Sequence, residues 1–144
     1  ISGVNGIELV LPYLGNINFG IVGEPTKMDM AVAERGLMVI DCIAQGKAGH
    51  AARKEGVNAL YIAVDDIEWI RNYKFDKVSP LLGESMLTVT VIGTENQQHN
   101  VVPPQCKFVI DVRVNELYTF DEILGELKQN LKSQFKELYP NNAT

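Results

Sequence analysis

The stretch "LMVIDCIAQ", residues 37–45, alternates apolar side chains on one face with mixed side chains on the other. Successive side chains of a β-strand point to opposite faces, so residues two apart share a face. The stretch therefore predicts a strand with one fully apolar face, and Asp41 belongs to the opposite face. The apolar face is expected to comprise Met38, Ile40, Cys42 and Ala44.

Two later stretches show the same period of two and predict half-buried strands. The first is "MLTVTVI", residues 86–92, and the second is "KFVIDVRV", residues 107–114. In the first, one face is expected to carry Leu87, Val89 and Val91, and the other Thr88 and Thr90. In the second, the inward side chains are expected to be Phe108, Ile110, Val112 and Val114, and the outward ones Lys107, Asp111 and Arg113.

Two helices are predicted from apolar residues at helical spacing. The first runs from Asn58, a candidate N-cap, to about Tyr73. The second opens with Thr119 and Glu122 at the spacing of a capping box. One side of this second helix is expected to carry Phe120, Leu124, Leu127, Leu131, Phe135 and Leu138.

The element order is therefore strand, helix, strand, strand, helix. Helices on one face of a mostly antiparallel sheet form an α+β two-layer sandwich, so we predict a ferredoxin-like βαββαβ fold. The chain ends at "YPNNAT", residues 139–144, where a further strand would begin. The fourth strand is thus expected to be truncated or missing.

The first part of the chain predicts the edge of a different domain. Residues 5–14 have the pattern of a short amphipathic helix, and "FGIVGEP", residues 19–25, that of a strand buried on both faces. One helix and one buried strand cannot complete an α/β domain. Because the chain also opens on Ile1 rather than methionine, we expect a piece cut from a longer protein.

Composition narrows the possible partners and compartments. The chain is 46% hydrophobic and 22% charged, as in ordinary globular proteins, and its net charge is -5. The chain has no run of basic residues, so we do not expect it to bind nucleic acid. It has neither a long apolar run nor a signal peptide, so we expect it to be cytoplasmic and not to bind membranes. Cys42 and Cys106 lack CxxC spacing and are expected to be buried thiols.

One of only two histidines, His50, lies among small residues in "QGKAGHAAR", residues 45–53. Small residues allow a backbone to approach another group closely. A flexible loop that carries a histidine is one interpretation. The other is that His50 reaches into a site outside its own domain and donates to a developing oxyanion, a contact worth about 3 to 4 kcal/mol in acyl transfer.

Arg113 follows Asp111 by two residues, so both side chains belong to the outward face of their strand. A surface ion pair is one interpretation and would contribute little stability. The other is that Arg113 presents its planar guanidinium to a substrate carboxylate. Asn100, in "HNVVPP" before this strand, is expected to share such a carboxylate, unless it is only a turn residue ahead of the prolines.

Glu24 ends the apolar run "FGIV" and precedes Pro25. Ligand sites gather at the carboxyl ends of strands in α/β sheets, so Glu24 is either a metal ligand, a charge at the N-terminus of a helix, or a solvated loop carboxylate. The chain has only two histidines and no dense cluster of carboxylates, which is too few ligands for a whole zinc hydrolase site. It also contains no GxSxG, Walker or GxGxxG motif in a suitable context. We therefore do not expect this chain to hold all of its chemistry.

Several motifs follow one another over nearly the whole chain. They are "IVGEPT" at 21–26, "AERG" at 33–36, "GKAGHAAR" at 46–53, "NVVP" at 100–103 and "DVR" at 111–113. Together they resemble the zinc-dependent aminoacylase, carboxypeptidase and acetylornithine deacetylase family. Within that family, the segment "ERGLMVIDCIAQGKAGHAAR" is most similar to the bacterial acetylornithine deacetylases.

The resemblance implies a domain organisation. Members of the family have a catalytic domain with two zinc ions, interrupted by an inserted ferredoxin-like dimerisation or lid domain. By this resemblance residues 1–34 belong to the catalytic domain and residues 35–144 form the lid. The implied partners are a second copy of the chain, in a homodimer, and a small N-acyl amino acid.

The resemblance also implies a role for each candidate residue. Glu24 would bind one zinc ion, and His50 would reach across the dimer and stabilise the tetrahedral oxyanion. Asn100 and Arg113 would bind the carboxylate of the substrate. The other zinc ligands and the general base are absent from these residues, so the chain alone is expected to be inactive.

The implied reaction is metal-assisted hydrolysis of the amide bond of N-acyl amino acids, with N-acetylornithine as the most specific substrate. A dipeptidase or carboxypeptidase of the same family is one alternative, since it would share all the named residues. A stand-alone ferredoxin-like module that dimerises or binds a small ligand is another, because this fold carries many unrelated functions.

Overall fold

The computed structural model describes residues 7–21, 23, 25 and 27–137. The chain divides into two units, residues 1–31 and residues 32–144. Each unit has its own local structure.

The first unit contains one short helix. Helix α1, Ile7–Val10, continues directly into a 3-10 turn at Leu11–Tyr13, which confirms the helix prediction over residues 7–13. The buried strand predicted over residues 19–25 is wrong for the residues described there, which form no strand. Phe19 and Ile21 are 80% and 88% exposed, and the described residues of this unit form no strand that could pair with them.

The second unit is the predicted α+β sandwich. Its main sheet has four strands in the order β3-β5-β1-β6, and every neighbouring pair is antiparallel. A separate two-stranded sheet pairs β2 with β4. The strands are β1 Gly36–Gln45, β2 Gly49–His50, β3 Met86–Gly93, β4 Val101–Val102, β5 Gln105–Val114 and β6 Gln134–Glu137.

The two longest strands form the centre of the sheet. β1 and β5 pair over ten residues, from Gly36 opposite Val114 to Gln45 opposite Gln105. Their alternation is as predicted, with the inward side chains of both strands buried in the core. These inward residues are Met38, Ile40, Cys42, Ala44, Cys106, Phe108, Ile110, Val112 and Val114.

Strand β3 departs from simple alternation because it contains a β-bulge. Its register to β5 shifts between Val89 and Val91, so Thr90 is the extra residue. A bulge reverses which side chains face each way beyond it. Val91 therefore lies opposite Val109 on the outward face and is 58% exposed, so its predicted place beside Val89 is wrong.

Both helices begin where their capping residues predict. Helix α2, Ala59–Asn72, starts after Asn58, whose side-chain oxygen accepts the N–H of Leu60 at 3.0 Å. Helix α3, Phe120–Asn130, has the complete capping box of Thr119 and Glu122. The buried side chains of the helices complete the core, namely Ala59, Ala63, Ile70, Ile123 and Leu127.

Helix α3 ends earlier than predicted, and the fourth strand is present. The helix stops at Asn130, and β6 pairs with β1 so that Phe135 lies opposite Cys42. The predicted helix through Leu138 is therefore wrong for residues 131–137. The backbone of residues 134–137 instead pairs with the second edge of β1, where it satisfies backbone N–H and C=O groups that would otherwise lack a partner strand.

A buried carboxylate fixes the turn between α3 and β6. Asp66, only 2% exposed on α2, accepts the backbone N–H groups of Lys132 and Ser133, both at 2.9 Å. Charged acceptors make stronger hydrogen bonds than neutral ones. Asp66 thereby holds the chain in a turn at the point where the apolar pattern would have continued the helix.

Both cysteines are buried in strands, as predicted. Burial, followed by the nearby Asp66 and Asp41 carboxylates, raises the pKa of the Cys42 thiol to about 12. Burial also raises the pKa of the Cys106 thiol. Neither thiol is therefore poised as a nucleophile. Among the described residues, no helix is long and apolar enough to cross a bilayer.

We expect Asp66→Ala to lower the free energy of unfolding by about 2 to 4 kcal/mol, because it removes two charge-assisted hydrogen bonds inside the fold. The neighbouring Asp65→Ala is the matched control, since Asp65 binds only the ammonium of Lys132 and both groups face water. Urea unfolding of both variants measures the difference. Equal losses in the two variants would contradict a structural role specific to Asp66.

Candidate functional site

The candidate site begins at the loop that carries His50. At its neck, Lys47 and Val57 exchange two backbone hydrogen bonds of 2.8 and 2.9 Å. Within this neck the chain makes strand β2 and a short 3-10 turn, Ala51–Arg53, followed by Lys54 in the left-handed region at φ 53°. The loop is thus closed on itself by regular backbone bonds.

Glycine is required where the loop folds back on itself. A Cβ atom on Gly46 would lie 2.2 Å from the carbonyl oxygen of Val57, and one on Gly49 would lie 2.3 Å from that of Glu55. Both separations are far below any real contact distance, so a larger residue would displace backbone. This close packing explains the two glycines beside His50, Gly46 and Gly49, and it argues against the flexible-loop interpretation.

The segment "NVVPP", residues 100–104, holds the same loop from the other side. The carbonyl of Asn100 accepts the N–H of Ala51 at 2.9 Å, and that of Pro104 accepts the N–H of Gly46 at 2.8 Å. Between these two bonds, β2 pairs with β4 so that His50 lies opposite Val101. The fold therefore brings His50 and Asn100 together, although they are fifty positions apart in sequence.

The His50 ring has a fixed hydrogen-bonding state. The backbone N–H of Ala52 donates to its Nδ1 at 3.2 Å, so Nδ1 carries a lone pair. In a neutral imidazole the proton then lies on Nε2, which becomes the donor. The ring is half-buried and can present this N–H to a group outside the loop.

Arg113 lies on the outward face of β5, and its guanidinium is engaged by its neighbour. Nε and Nη2 donate to the two carboxylate oxygens of Asp111, at 2.8 and 3.1 Å. This hydrogen bonding raises the pKa of Arg113. The guanidinium is a fixed cation whose Nη1 atom is free of that pair, and its side chain is 47% exposed.

Asn100 and Arg113 do not come together within one chain. Arg113 stands near the carboxyl end of β5, opposite Leu37, whereas Asn100 precedes the other end, where Gln105 lies opposite Gln45. At about 3.3 Å per residue, the strand separates Gln105 from Arg113 by about 26 Å. Within a single copy of this domain, the two side chains are therefore too far apart to bind one carboxylate.

The described residues do not build a metal site. No group of three or more His, Cys, Asp or Glu side chains that could hold an ion occurs among residues 7–21, 23, 25 and 27–137. Glu24, the predicted zinc ligand, lies outside them. The three described candidates, His50, Asn100 and Arg113, supply hydrogen-bond donors and charge rather than a metal-ligand set.

Sequence reasoning missed an open cavity at the end of the sheet near Asn100. Its volume is about 700 Å³, and its polar rim includes Thr94, Asn96 and Lys107, with Lys107 bound to Glu95 at 3.0 Å. The apolar floor includes Val91, which reaches it only because of the bulge in β3. Three separate segments form this cavity, residues 45–46, 91–96 and 104–109, so no local pattern could have indicated it.

We expect Gly49→Ala to disrupt the His50 loop, because the new methyl group would overlap the Glu55 carbonyl. Gly125→Ala is the control, since nothing lies within 4 Å of a Cβ at this position in α3, and this change should stabilise the chain by roughly 0.5 to 1 kcal/mol. Amide NMR spectra and urea unfolding test both variants. Unchanged resonances at residues 47–57 in Gly49→Ala would contradict the close packing.

The geometry can be compared with known proteins. The family model of the peptidase dimerisation domain matches residues 32–138. Among curated relatives, a succinyl-diaminopimelate desuccinylase of Orientia tsutsugamushi is 29% identical over 129 residues, covering 85% of this chain and 33% of that protein. Another, from Rickettsia rickettsii, is 28% identical over 143 residues, covering 92% of this chain and 38% of that protein.

Solved structures show the same fold. The aminopeptidase PepT of Bacillus cereus superposes with a TM-score of 0.54 at 18% identity, covering 73% of this chain and 30% of that one. An amidase of the hydantoinase/carbamoylase family from Burkholderia multivorans gives 0.55 at 16% identity, covering 74% and 28%. The chain spans about a third of the length of the curated relatives it matches. Since the family model covers most of this chain, the chain belongs to the peptidase dimerisation domain family.

Proposed function

We propose that this chain is part of a metal-dependent hydrolase that cleaves the amide bond of N-acyl amino acids. The observation that carries the proposal is the hydrogen-bonded loop of residues 47–57, in which Nδ1 of His50 accepts a backbone N–H so that Nε2–H is the donor, and which bonds to the backbone of Asn100. Membership of the peptidase dimerisation domain family supports it, as do the names of the relatives. The chain would supply dimerisation and contacts to the substrate and transition state.

The substrate class is N-acyl amino acids, and two members of it compete. The segment "ERGLMVIDCIAQGKAGHAAR", residues 34–53, resembles the bacterial acetylornithine deacetylases, whereas the curated relatives are named succinyl-diaminopimelate desuccinylases. Both names describe removal of an acyl group from a diamino acid. A dipeptidase or carboxypeptidase remains the alternative within the same chemistry, because it would differ only on the acyl side of the bond.

A second copy of the chain is the proposed partner, and the free edge of β3 is the proposed contact. β3 forms one edge of the main sheet, and its eight residues, "MLTVTVIG", contain no charge. Met86, Val91 and Ile92 on it are 48%, 58% and 50% exposed. An uncharged edge strand of this length invites pairing with another strand, and a two-fold axis would let two copies of β3 pair with each other.

A dimer resolves the separation of the candidate residues. His50 and Asn100 lie at one end of the domain and Arg113 at the other, about 26 Å away along β5. One substrate contacted by all three would therefore need His50 and Asn100 from one subunit and Arg113 from its partner. The proposed active site is composite, with each subunit completing the site of the other.

Each residue would act through the atom it presents. The Nε2–H of His50 would donate to the oxyanion that forms at the acyl carbonyl, where charge increases in the transition state. The cation of Arg113 and the amide of Asn100 would bind the substrate carboxylate. Zinc, two ions per site, is the proposed cofactor of the complete enzyme and would activate the water; its ligands would come from outside the described residues.

The competing proposal is a stand-alone dimerising module. The fold alone does not distinguish the two, since the solved structures were matched at low identity. A longer protein with zinc ligands before and after this domain favours the enzyme. A complete protein of only this length favours the module.

We expect the zinc-loaded longer protein to hydrolyse at least one of N-acetylornithine, N-succinyl-diaminopimelate and a dipeptide, and the 144-residue chain alone to hydrolyse none. In the longer protein, His50→Ala should lower kcat by about a hundredfold with little change in KM, since an oxyanion donor acts in the transition state. Steady-state kinetics on this panel measure both constants.

Lys54→Ala is the control, because Lys54 is exposed on the same loop, whereas the hydrogen bond to the His50 ring comes from Ala52. It should leave kcat and KM close to their starting values. If His50→Ala behaves like this control, His50 has no part in catalysis. If the longer protein cleaves nothing in the panel, the stand-alone module is the better account.

A further inference from the structure

Asn96, which belongs to neither β3 nor β4, makes three hydrogen bonds to the turn that leads to Asn100. Its Nδ2 donates to the carbonyls of Gln98 and Val101, at 3.1 and 2.9 Å. Its Oδ1 accepts the N–H of Gln98 at 3.0 Å. Both amide protons and the amide oxygen of Asn96 therefore bond to the backbone of Gln98 and Val101, the first and last residues of the segment 98–101.

The backbone around Asn96 is itself anchored to the main sheet. The N–H of Asn96 donates to Oγ1 of Thr94 at 3.3 Å, and that hydroxyl donates to the carbonyl of Gln105 at the start of β5. Asn96 is half-buried at the rim of the cavity, whereas Gln98 and Asn100 are exposed. The exposed turn is thus bound by a side chain whose own backbone is anchored, through Thr94, to the start of β5.

The turn is connected to His50 by backbone hydrogen bonds. Asn100 lies between the two carbonyls that Asn96 binds, and its own carbonyl accepts the N–H of Ala51 at 2.9 Å. Ala51 begins the 3-10 turn whose next residue, Ala52, donates to the His50 ring. Hydrogen bonds joined by short stretches of backbone therefore link Asn96 to the Asn100 segment, and that segment to the residues that bind the imidazole.

We infer that Asn96 is a positioning residue, which sets both Asn100 and His50 at the geometry that the proposed hydrolysis needs. Its side-chain hydrogen bonds among the described residues go to the backbone of Gln98 and Val101, so it acts through the backbone of residues 98–101 and 51–52. Small displacements of catalytic donors lower rates strongly, so such support carries functional weight. The effect on catalysis rests on the proposed function. The structural support of the loop by Asn96 rests on the hydrogen bonds alone.

Two substitutions and a control test the inference. Asn96→Ala removes all three bonds to the turn, and Asn96→Asp keeps an acceptor for the Gln98 N–H but places a carboxylate oxygen against two carbonyls. Asn130→Ala is the matched control, because Asn130 also donates to a backbone carbonyl, that of Glu126 at 2.8 Å, but at the end of α3.

Amide hydrogen exchange on this chain measures directly how strongly Asn96 stabilises the turn and the His50 loop. We expect the Ala51 N–H to exchange roughly tenfold faster or more in both Asn96 variants, while the Val57 N–H at the loop neck and both amides in Asn130→Ala keep their rates. Unchanged exchange at Ala51 would overturn the inference. Equal acceleration at Ala51 and Val57 would also overturn it, since the loop would then be loosened as a whole.

Steady-state kinetics of the longer protein measure the effect of Asn96 on catalysis. At a temperature where all variants remain folded, Asn96→Ala should lower kcat about tenfold, with Asn130→Ala unaffected. Faster exchange at Ala51 with an unchanged kcat would overturn the positioning role. If the unsubstituted protein hydrolyses none of the N-acyl amino acids, the proposed function fails and Asn96 positions no catalytic group, while the exchange rates still decide whether it supports the turn.

Discussion

The ten-residue antiparallel pairing of β1 with β5 is the interaction on which the rest of the domain depends. It aligns two strands whose inward side chains form most of the core, and it gives both helices a continuous apolar surface to cover. It also fixes the distance between the two ends of the sheet. Everything attached to Gln45 and Gln105 lies at one end, and everything attached to Gly36 and Val114 lies at the other.

This pairing separates the groups that the proposed chemistry would use. The loop with His50 and the turn with Asn100 both leave from the Gln45 end, where backbone bonds join them into one unit. Arg113 stays near the opposite end, bound to Asp111. A rigid sheet cannot bend to close a gap of about 26 Å, so a shared substrate requires a second subunit. The dimer is thus a geometric requirement of the proposed function.

Local patterns predicted most of the fold. The alternation in β1 and β5 and the caps of α2 and α3 are confirmed, because each depends on residues close together in sequence. The errors occur where distant contacts decide. The bulge at Thr90 moves Val91 to the other face, and the carboxylate of Asp66 ends α3 before β6, although neither effect has a signal in the neighbouring residues.

The candidate site divides in the same way. Small residues around His50 indicated a close backbone approach, and the structure shows that approach at Gly46 and Gly49. The contact of His50 with the Asn100 segment, and the distance of both from Arg113, depend on strand register and could not be predicted from either motif. The role of Glu24 stays a prediction, since that residue lies outside those the structure describes.

Subunit complementation tests the composite site most directly. The longer protein carrying His50→Ala is mixed with the same protein carrying Arg113→Ala, dissociated and reassembled, and its activity is compared with that of each variant alone. If His50 of one subunit serves the site that contains Arg113 of the other, half of the dimers at equal mixing hold one intact site. The mixture should then recover about a quarter of the original activity. Activity no higher than that of the separate variants would show that both residues act within one subunit and would contradict the account.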